Sequence, residues 1–353
     1  MKKELLVAAL IFLSISSCKK AENPVSPNWE LSGKIVYSTG TSIYLLDLSA
    51  PNPVPRLLVD DACQPAVSPD GKTVAFWKIS PAGSSDIYRI NVDGTDMVNL
   101  SNRQWVTESS PDWSPDGQWI IFDGWSPPYQ RLYIMDRDGK NIHPITDTSY
   151  FAALPSWGGP YTVPIAFLYW PPFSQEPSRR RLGAIYPEGW GMVDLDEMFG
   201  HSRPLWSPDR RWILYDVSTG YRVVDIFTRI RYPLRTDTVS FTSLFSPQWM
   251  ADGSLLGVGS KIADTSDTRY GVYKISLGSR EVLSARKMTD GFKGGDMAAT
   301  ESPDGRYVAI FGRRQEDQGL HFYVYDTGDS SLHRIAEISA SGTAYVSYAR
   351  WIR

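Results

Sequence analysis

Short apolar runs separated by clusters of turn-forming residues recur along the whole chain. Trp119-Ile120-Ile121-Phe122 is continuous, as in a strand covered on both faces, and Leu132-Tyr133-Ile134-Met135-Asp136 closes on a polar residue. Before the first of these stand a short strand, Pro111-Asp112-Trp113, and the turn Ser114-Pro115-Asp116-Gly117. Proline presets φ in such a turn, aspartate bonds nearby N–H groups and glycine accepts positive φ. Asp138-Gly139 signals a hairpin, and Ile142-His143-Pro144-Ile145-Thr146 supplies a fourth strand. Its proline suits an outer edge, where a missing donor does little harm.

The same grammar repeats. Clear copies of the turn are Ser68-Pro69-Asp70-Gly71 and Ser302-Pro303-Asp304-Gly305. Decayed ones are Ser207-Pro208-Asp209-Arg210, Ala251-Asp252-Gly253 and Gly158-Gly159-Pro160. The slot before the turn holds Trp113, Trp157, Trp206 and Trp249, with Val67 and Glu301 at the equivalent place. Third-strand signatures recur at residues 43–47, 87–91, 221–225, 272–275 and 322–326; the unit after Trp157 has only a degenerate candidate, Leu182 to Tyr186. A period of about 43–52 residues is that of a four-stranded propeller blade. Residues 35–59 give three strands with no inner strand before them, and Val346 to Trp351 gives an inner strand with no blade after it. Joined, they make one composite blade that leaves no open edge. The expected fold is all-β, a seven-bladed β-propeller. Six blades is the alternative, with the unit after Trp157 as an insertion.

These residues resemble the TolB-like propeller repeat, the WD-like variety with Pro-Asp before the second strand. The resemblance covers about residues 33–352 and implies a fold far more than an activity. TolB proper carries an additional α/β domain and usually six blades, and neither is expected here.

Residues 1–17 read as a signal peptide, with Lys2 and Lys3 ahead of an apolar stretch, Leu5 to Leu13, too short to span a bilayer. Ile15-Ser16-Ser17-Cys18 matches the bacterial lipoprotein processing box, so Cys18 is the expected lipid carrier; an ordinary secretory signal is the alternative. Residues 18–31 form the lipidated cysteine and its tether, and residues 32–353 the propeller. Lys19 and Lys20, with no aspartate at the second position, favour the outer membrane. The formal net charge of −3 argues against nucleic acid, which demands a basic surface. With Cys18 committed to lipid, Cys63 is left alone, a small buried hydrophobe rather than a nucleophile.

Reactive groups are sparse. His143 and His333 occupy equivalent fourth-strand positions in different blades, His321 opens a third strand and His201 lies in a connection. Zinc needs several such ligands converging on one point, so neither metal nor cofactor is expected. Seven-bladed oligogalacturonide lyases share the architecture but have a histidine-rich metal site, and no Gly-x-Ser-x-Gly elbow marks a propeller-bearing peptidase. Asp136-Arg137-Asp138-Gly139-Lys140-Asn141 has a faint calcium-loop look, but its parallel at Asn91–Asp96 points to a recurrent hairpin.

The turns before the second strand share one face. Second-to-third-strand loops and blade connections share the other, and these are the long ones: Asp123–Tyr129, Trp170–Arg181, Lys261–Arg269 and Arg313–Asp317. Long loops on a rigid scaffold carry binding, and aromatic and arginine side chains dominate hot spots. Candidate contacts are Trp105, Trp125, Tyr129, Tyr150, Phe151, Trp170, Arg179, Phe292, Arg313 and Arg314, with Phe241 alongside. The expected protein is a monomeric, non-catalytic envelope lipoprotein binding a protein, peptide or glycan. A propeller hydrolase or lyase acting on an oligo- or polysaccharide at the channel mouth is the rival.

Overall fold

The computed structural model describes residues 31–353 except 82, 104, 105, 161, 172–179, 200, 201, 235–238, 262–268, 278–283, 294–296, 315, 318 and 339–345. Side chains of 239–246, 260, 261 and 269 also lie outside the description. Ser32–Arg353 forms one compact unit, distinct from Met1–Leu31.

The described residues form seven antiparallel sheets of four strands each. Blade 1 joins Lys34–Ser38, Ser42–Asp47 and Arg56–Asp60 to the C-terminal Tyr348–Ile352. Blade 2 is Ala62–Val67, Thr73–Ile79, Ser85–Asn91 and Val98–Asn99. Blade 3 is Thr107–Trp113, Trp119–Ser126, Tyr129–Asp136 and His143–Pro144. Blade 4 is Phe151–Trp157, Ile165–Trp170, Arg181–Ile185 and Val193–Glu197. Blade 5 is Leu205–Trp206, Trp212–Val217, Gly220–Asp225 and Arg231–Pro233. Blade 6 is Val239–Trp249, Leu255–Lys261, Arg269–Ser276 and Ser284–Lys293. Blade 7 is Ala298–Glu301, Tyr307–Gly312, Leu320–Asp326 and Leu332–Ile338. The unit after Trp157 is thus a regular blade, and the count is seven. Each inner strand touches the next, and Tyr348–Ile352 meets both Ala298–Glu301 and Ala62–Val67, which closes the ring.

The turns are built alike. Ser68, Ser114, Ser207 and Ser302 each donate Oγ–H to the aspartate two residues on, at 2.5–2.6 Å. The same oxygens accept the N–H of Thr73, Trp119, Trp212 and Tyr307, which starts the second strand in register. Apolar residues of both sheet faces are buried between successive blades. One such layer holds Ala66, Ile87, Trp113, Ile120, Phe122 and Tyr133 of blades 2 and 3, and another Ile121, Ile134, Trp157, Ile165 and Phe167 of blades 3 and 4.

The tryptophans before the turns tie blade to blade. Indole N–H groups of Trp113, Trp206 and Trp249 donate to the carbonyls of Ala66, Ser156 and Leu205, each on the preceding inner strand. All three acceptors stand one residue before the equivalent slot, so the bond repeats with the blade. Trp351 of the closing strand donates instead to Ser32. Three residues before the slot, Gln64, Ser110 and Leu154 adopt φ near +50° at register shifts. A proline follows each of them. The bulge lets proline enter the inner strand, since the ladder is already broken there.

Candidate functional site

Strand direction puts the second-to-third-strand loops and blade connections on the face opposite the Ser-x-Asp turns. On that face, three of the residues expected at a binding surface come together along the seam between blades 3 and 4. Phe151 opens the inner strand of blade 4 and pairs with Trp170, the last residue of the next strand. Its ring meets Trp125 edge-on at 5.8 Å and Trp170 edge-on at 5.7 Å. The guanidinium of Arg180 lies 5.9 Å from the Trp170 ring centre and ends the row. Trp125 keeps 38 % of its surface exposed, while Phe151 and Trp170 are half-buried. Edge-to-face rings hold one another rigidly at little entropic cost.

Beneath this row, Tyr150 packs against Tyr169 at 5.5 Å and Phe167 at 6.2 Å, and partly covers the apolar layer between the two blades. Burial, then Asp147 and Tyr169, push the Tyr150 phenol up to about 12, so it is a neutral donor at physiological pH. Arg181 and Asp194 make a forked ion pair at 2.6–2.9 Å beside Tyr169.

Two local readings change. Asp123–Tyr129 is not a long loop. The strands run on to Ser126 and restart at Tyr129, leaving Pro127-Pro128 as the whole connection, with a cis bond between them. Gln130 and Arg131 continue the ladder opposite Trp125 and Gly124, so Trp125 stands on a strand and Tyr129 at the start of the next. Phe292 is fully buried, packed edge-on against Tyr323 at 5.4 Å, and presents nothing to solvent. The end of its strand bridges to Arg314, whose guanidinium lies over the Phe292 ring at 5.9 Å. Arg313 accepts the Lys293 N–H on its carbonyl at 2.8 Å. These contacts fasten the blade 7 loop to blade 6. Cys18, Trp105, Arg179 and the side chain of Phe241 lie outside the described residues.

Other groups carry no sequence signature of a site. Glu108 is fully buried and accepts from Arg103 Nε at 2.6 Å, while that guanidinium sits 4.1 Å over the Tyr133 ring. Burial raises the Glu108 carboxyl, and Arg103 opposes the rise. On the opposite face, Trp190 is 61 % exposed and stacks on Tyr186 at 4.4 Å. The calcium-like loop is a hairpin: Asp136 accepts the N–H groups of Asp138 and Lys140 and an amide N–H of Asn141. Among the described residues, no three His, Cys, Asp or Glu side chains are grouped to hold a metal, and His143 lies on blade 3 while His321 and His333 lie on blade 7.

No family model matches the sequence. A curated protein from Agrobacterium fabrum, Atu1656, itself uncharacterized, is 25 % identical over 209 residues, covering 56 % of this chain and 69 % of its own length. A solved structure assigned as TolB from Agrobacterium tumefaciens is 26 % identical with a TM-score of 0.42; the match covers 48 % of this chain and 63 % of that one, under two thirds of its length. TolB from Acinetobacter baumannii is 15 % identical with a TM-score of 0.49, covering 92 % and 67 %. An oligogalacturonate lyase from Vibrio parahaemolyticus is 15 % identical with a TM-score of 0.58, covering 88 % of both chains. At that identity the lyase likeness is one of fold. The chain is a seven-bladed β-propeller whose structural neighbours include TolB-like proteins and lyases.

Proposed function

We propose that this protein is a non-catalytic lipoprotein of the bacterial cell envelope, anchored through Cys18, whose propeller binds a protein, peptide or glycan on its long-loop face. The observation that carries this reading is the row Trp125–Phe151–Trp170, ended by Arg180 and seated on a rigid seam between two blades. Aromatic faces flanked by a guanidinium suit both peptide side chains and the apolar faces of sugar rings. The flanking sequence from Trp170 to Arg181 holds three prolines and three consecutive arginines. Anchoring follows from Ile15-Ser16-Ser17-Cys18, and two or three acyl chains would hold the protein firmly at a membrane.

The test is capture from an envelope extract with the propeller from Ser32 onward as bait. A partner recovered by the wild type and lost with a Trp125→Ala/Trp170→Ala double variant supports the reading. Equal recovery by both proteins contradicts it.

A further inference from the structure

Two arginines converge on one tyrosine at the long-loop end of the seam between blades 2 and 3. Arg131 stands near the start of the third strand of blade 3, opposite Gly124 of the second strand. Two residues on, Tyr133 shares its sheet face, and Arg131 Nη2 donates to the Tyr133 hydroxyl at 3.0 Å. The Arg131 guanidinium lies 5.4 Å from the Tyr133 ring centre. Arg103 arrives from the connection between the two blades, with its guanidinium 4.1 Å from the same centre and 5.6 Å from that of Phe122. Gly124 makes the convergence possible. A Cβ there would stand 3.0 Å from Tyr133 Cε2 and 3.3 Å from Arg103 Nη2, so a larger residue would displace both.

The charges at this place do not balance. Fully buried Glu108 accepts from Arg103 Nε at 2.6 Å and from the Ile87 N–H at 3.2 Å, which fixes Arg103 and spends the carboxylate on it. Among the described residues Arg131 makes no ion pair; its guanidinium bonds only the neutral Tyr133. Arg103 Nη2 and Arg131 Nε are both buried with no hydrogen-bond partner among the described residues. A buried donor left unpaired is costly, the more so on a charged group, so two at one ring need a cause. Neither side chain is sealed in. Arg103 keeps 24 % of its side-chain surface exposed and Arg131 is half-buried, so part of each guanidinium side chain meets solvent at the rim.

We propose that Arg103 and Arg131 together hold an oxyanion, a phosphate or carboxylate group of a ligand, beside Tyr133 at the long-loop rim of blade 3. Planar guanidinium forks match such groups in pairs of parallel N–H bonds, and stacking on Tyr133 orders both forks before the anion arrives. Trp125 follows Gly124 in the strand but turns to the other sheet face, toward Phe151 of blade 4. The anion site is therefore separate from the aromatic row and stands whether or not that row binds anything.

Thermal unfolding of the purified protein tests it, in inorganic phosphate and in citrate, each against sodium chloride of equal ionic strength. The wild type is expected to gain stability in at least one of the two; phosphate alone marks a phosphoryl site and citrate alone a carboxylate site. Arg131→Gln removes the unpaired charge without stranding a carboxylate, and is expected to weaken the apparent affinity at least about tenfold. Arg103→Gln alone would leave Glu108 buried without its cation, so it is made together with Glu108→Gln and is expected to weaken binding as much. Trp125→Ala leaves the response intact. A wild type indifferent to both anions, or an Arg131→Gln protein that responds as the wild type does, overturns the proposal.

Discussion

Arg210 and Gly117 occupy the same turn position with nearly the same φ, 60° and 67°. A left-handed backbone costs an L-residue about 1–2 kcal/mol and glycine almost nothing. Arg210→Gly is therefore expected to stabilise the protein by roughly 0.5–1 kcal/mol, the remainder being offset by glycine's greater freedom when unfolded. Gly117→Ala is expected to destabilise by about 1 kcal/mol through φ alone, since its Cβ would meet only Pro69 at an ordinary 3.6 Å. Chemical denaturation of the two variants checks both signs. The turn carboxylates set an acid limit. Burial pushes the Asp252 carboxyl up, but Lys274 and Ser254 outweigh it and hold it down at about 2. Its folded value lies below an unfolded value near 3.9, so its contribution is complete above about pH 4 and is lost as pH falls toward 2. Hydrogen bonds from Ser68 and Ser302 lower Asp70 and Asp304 in the same direction. Stability measured between pH 6 and 2 should fall below pH 4, and Asp252→Asn should flatten that fall. A profile unchanged by the substitution would show that Asp252 does not supply it.

Strand by strand, the sequence was most legible where local chemistry repeats. The Ser-Pro-Asp turn and the Tyr-containing third strand announce themselves, and every strand so marked is present. Leu182–Ile185 lacks that aromatic signature because Gly183 leaves its space to the rings of Phe167 and Tyr169, yet it holds full register with its neighbour. The inner-strand bulges at Gln64, Ser110 and Leu154 went unread although a proline follows each. Such a proline reads locally as a loop, and only the partner strand reveals a bulge. Phe292 was misjudged for a related reason: its strand, Ser284–Lys293, runs ten residues and carries the ring under blade 7. The aromatic row was half legible, since the aromatics were evident but their mutual contact depends on two blades meeting. The repeated indole bond gives this scale its prediction. Trp206→Phe removes the donor to the buried Ser156 carbonyl and should cost about 1–2 kcal/mol, whereas Trp206→Ala also opens a cavity and should cost about 3–5 kcal/mol. Trp125→Ala, at a partly exposed ring with one aromatic neighbour among the described residues, should cost only about 1 kcal/mol. Equal losses at Trp206 and Trp125 would contradict the division between blade-stitching and surface aromatics.

At the scale of the molecule, closure rests on Tyr348–Ile352 pairing with Lys34–Ser38 across the full length of both strands. Trp351 and Ile352 are buried there, and Trp351 stacks on Tyr307 of blade 7. Removing residues 346–353 uncovers that apolar surface and opens two strand edges, so cooperative unfolding should be lost or its midpoint should drop sharply. A midpoint unchanged by this truncation would mean that the ends do not close the ring. Anchoring is tested separately. Cys18→Ser should block lipid attachment and membrane retention, and a variant processed and retained like the wild type would refute the lipoprotein reading. The ring presents two different faces to a partner, and each carries an exposed tryptophan: Trp125 in the blade 3–4 row and Trp190 over Tyr186 on the turn side. That pairing gives the most direct test of the binding face. Titrating the captured envelope partner onto wild type, Trp125→Ala, Trp170→Ala and Trp190→Ala should weaken affinity by at least about 1 kcal/mol, roughly fivefold, for Trp125 or Trp170, with Trp190→Ala unchanged. Affinity lost with Trp190→Ala and kept in both row variants would place the binding surface on the opposite face.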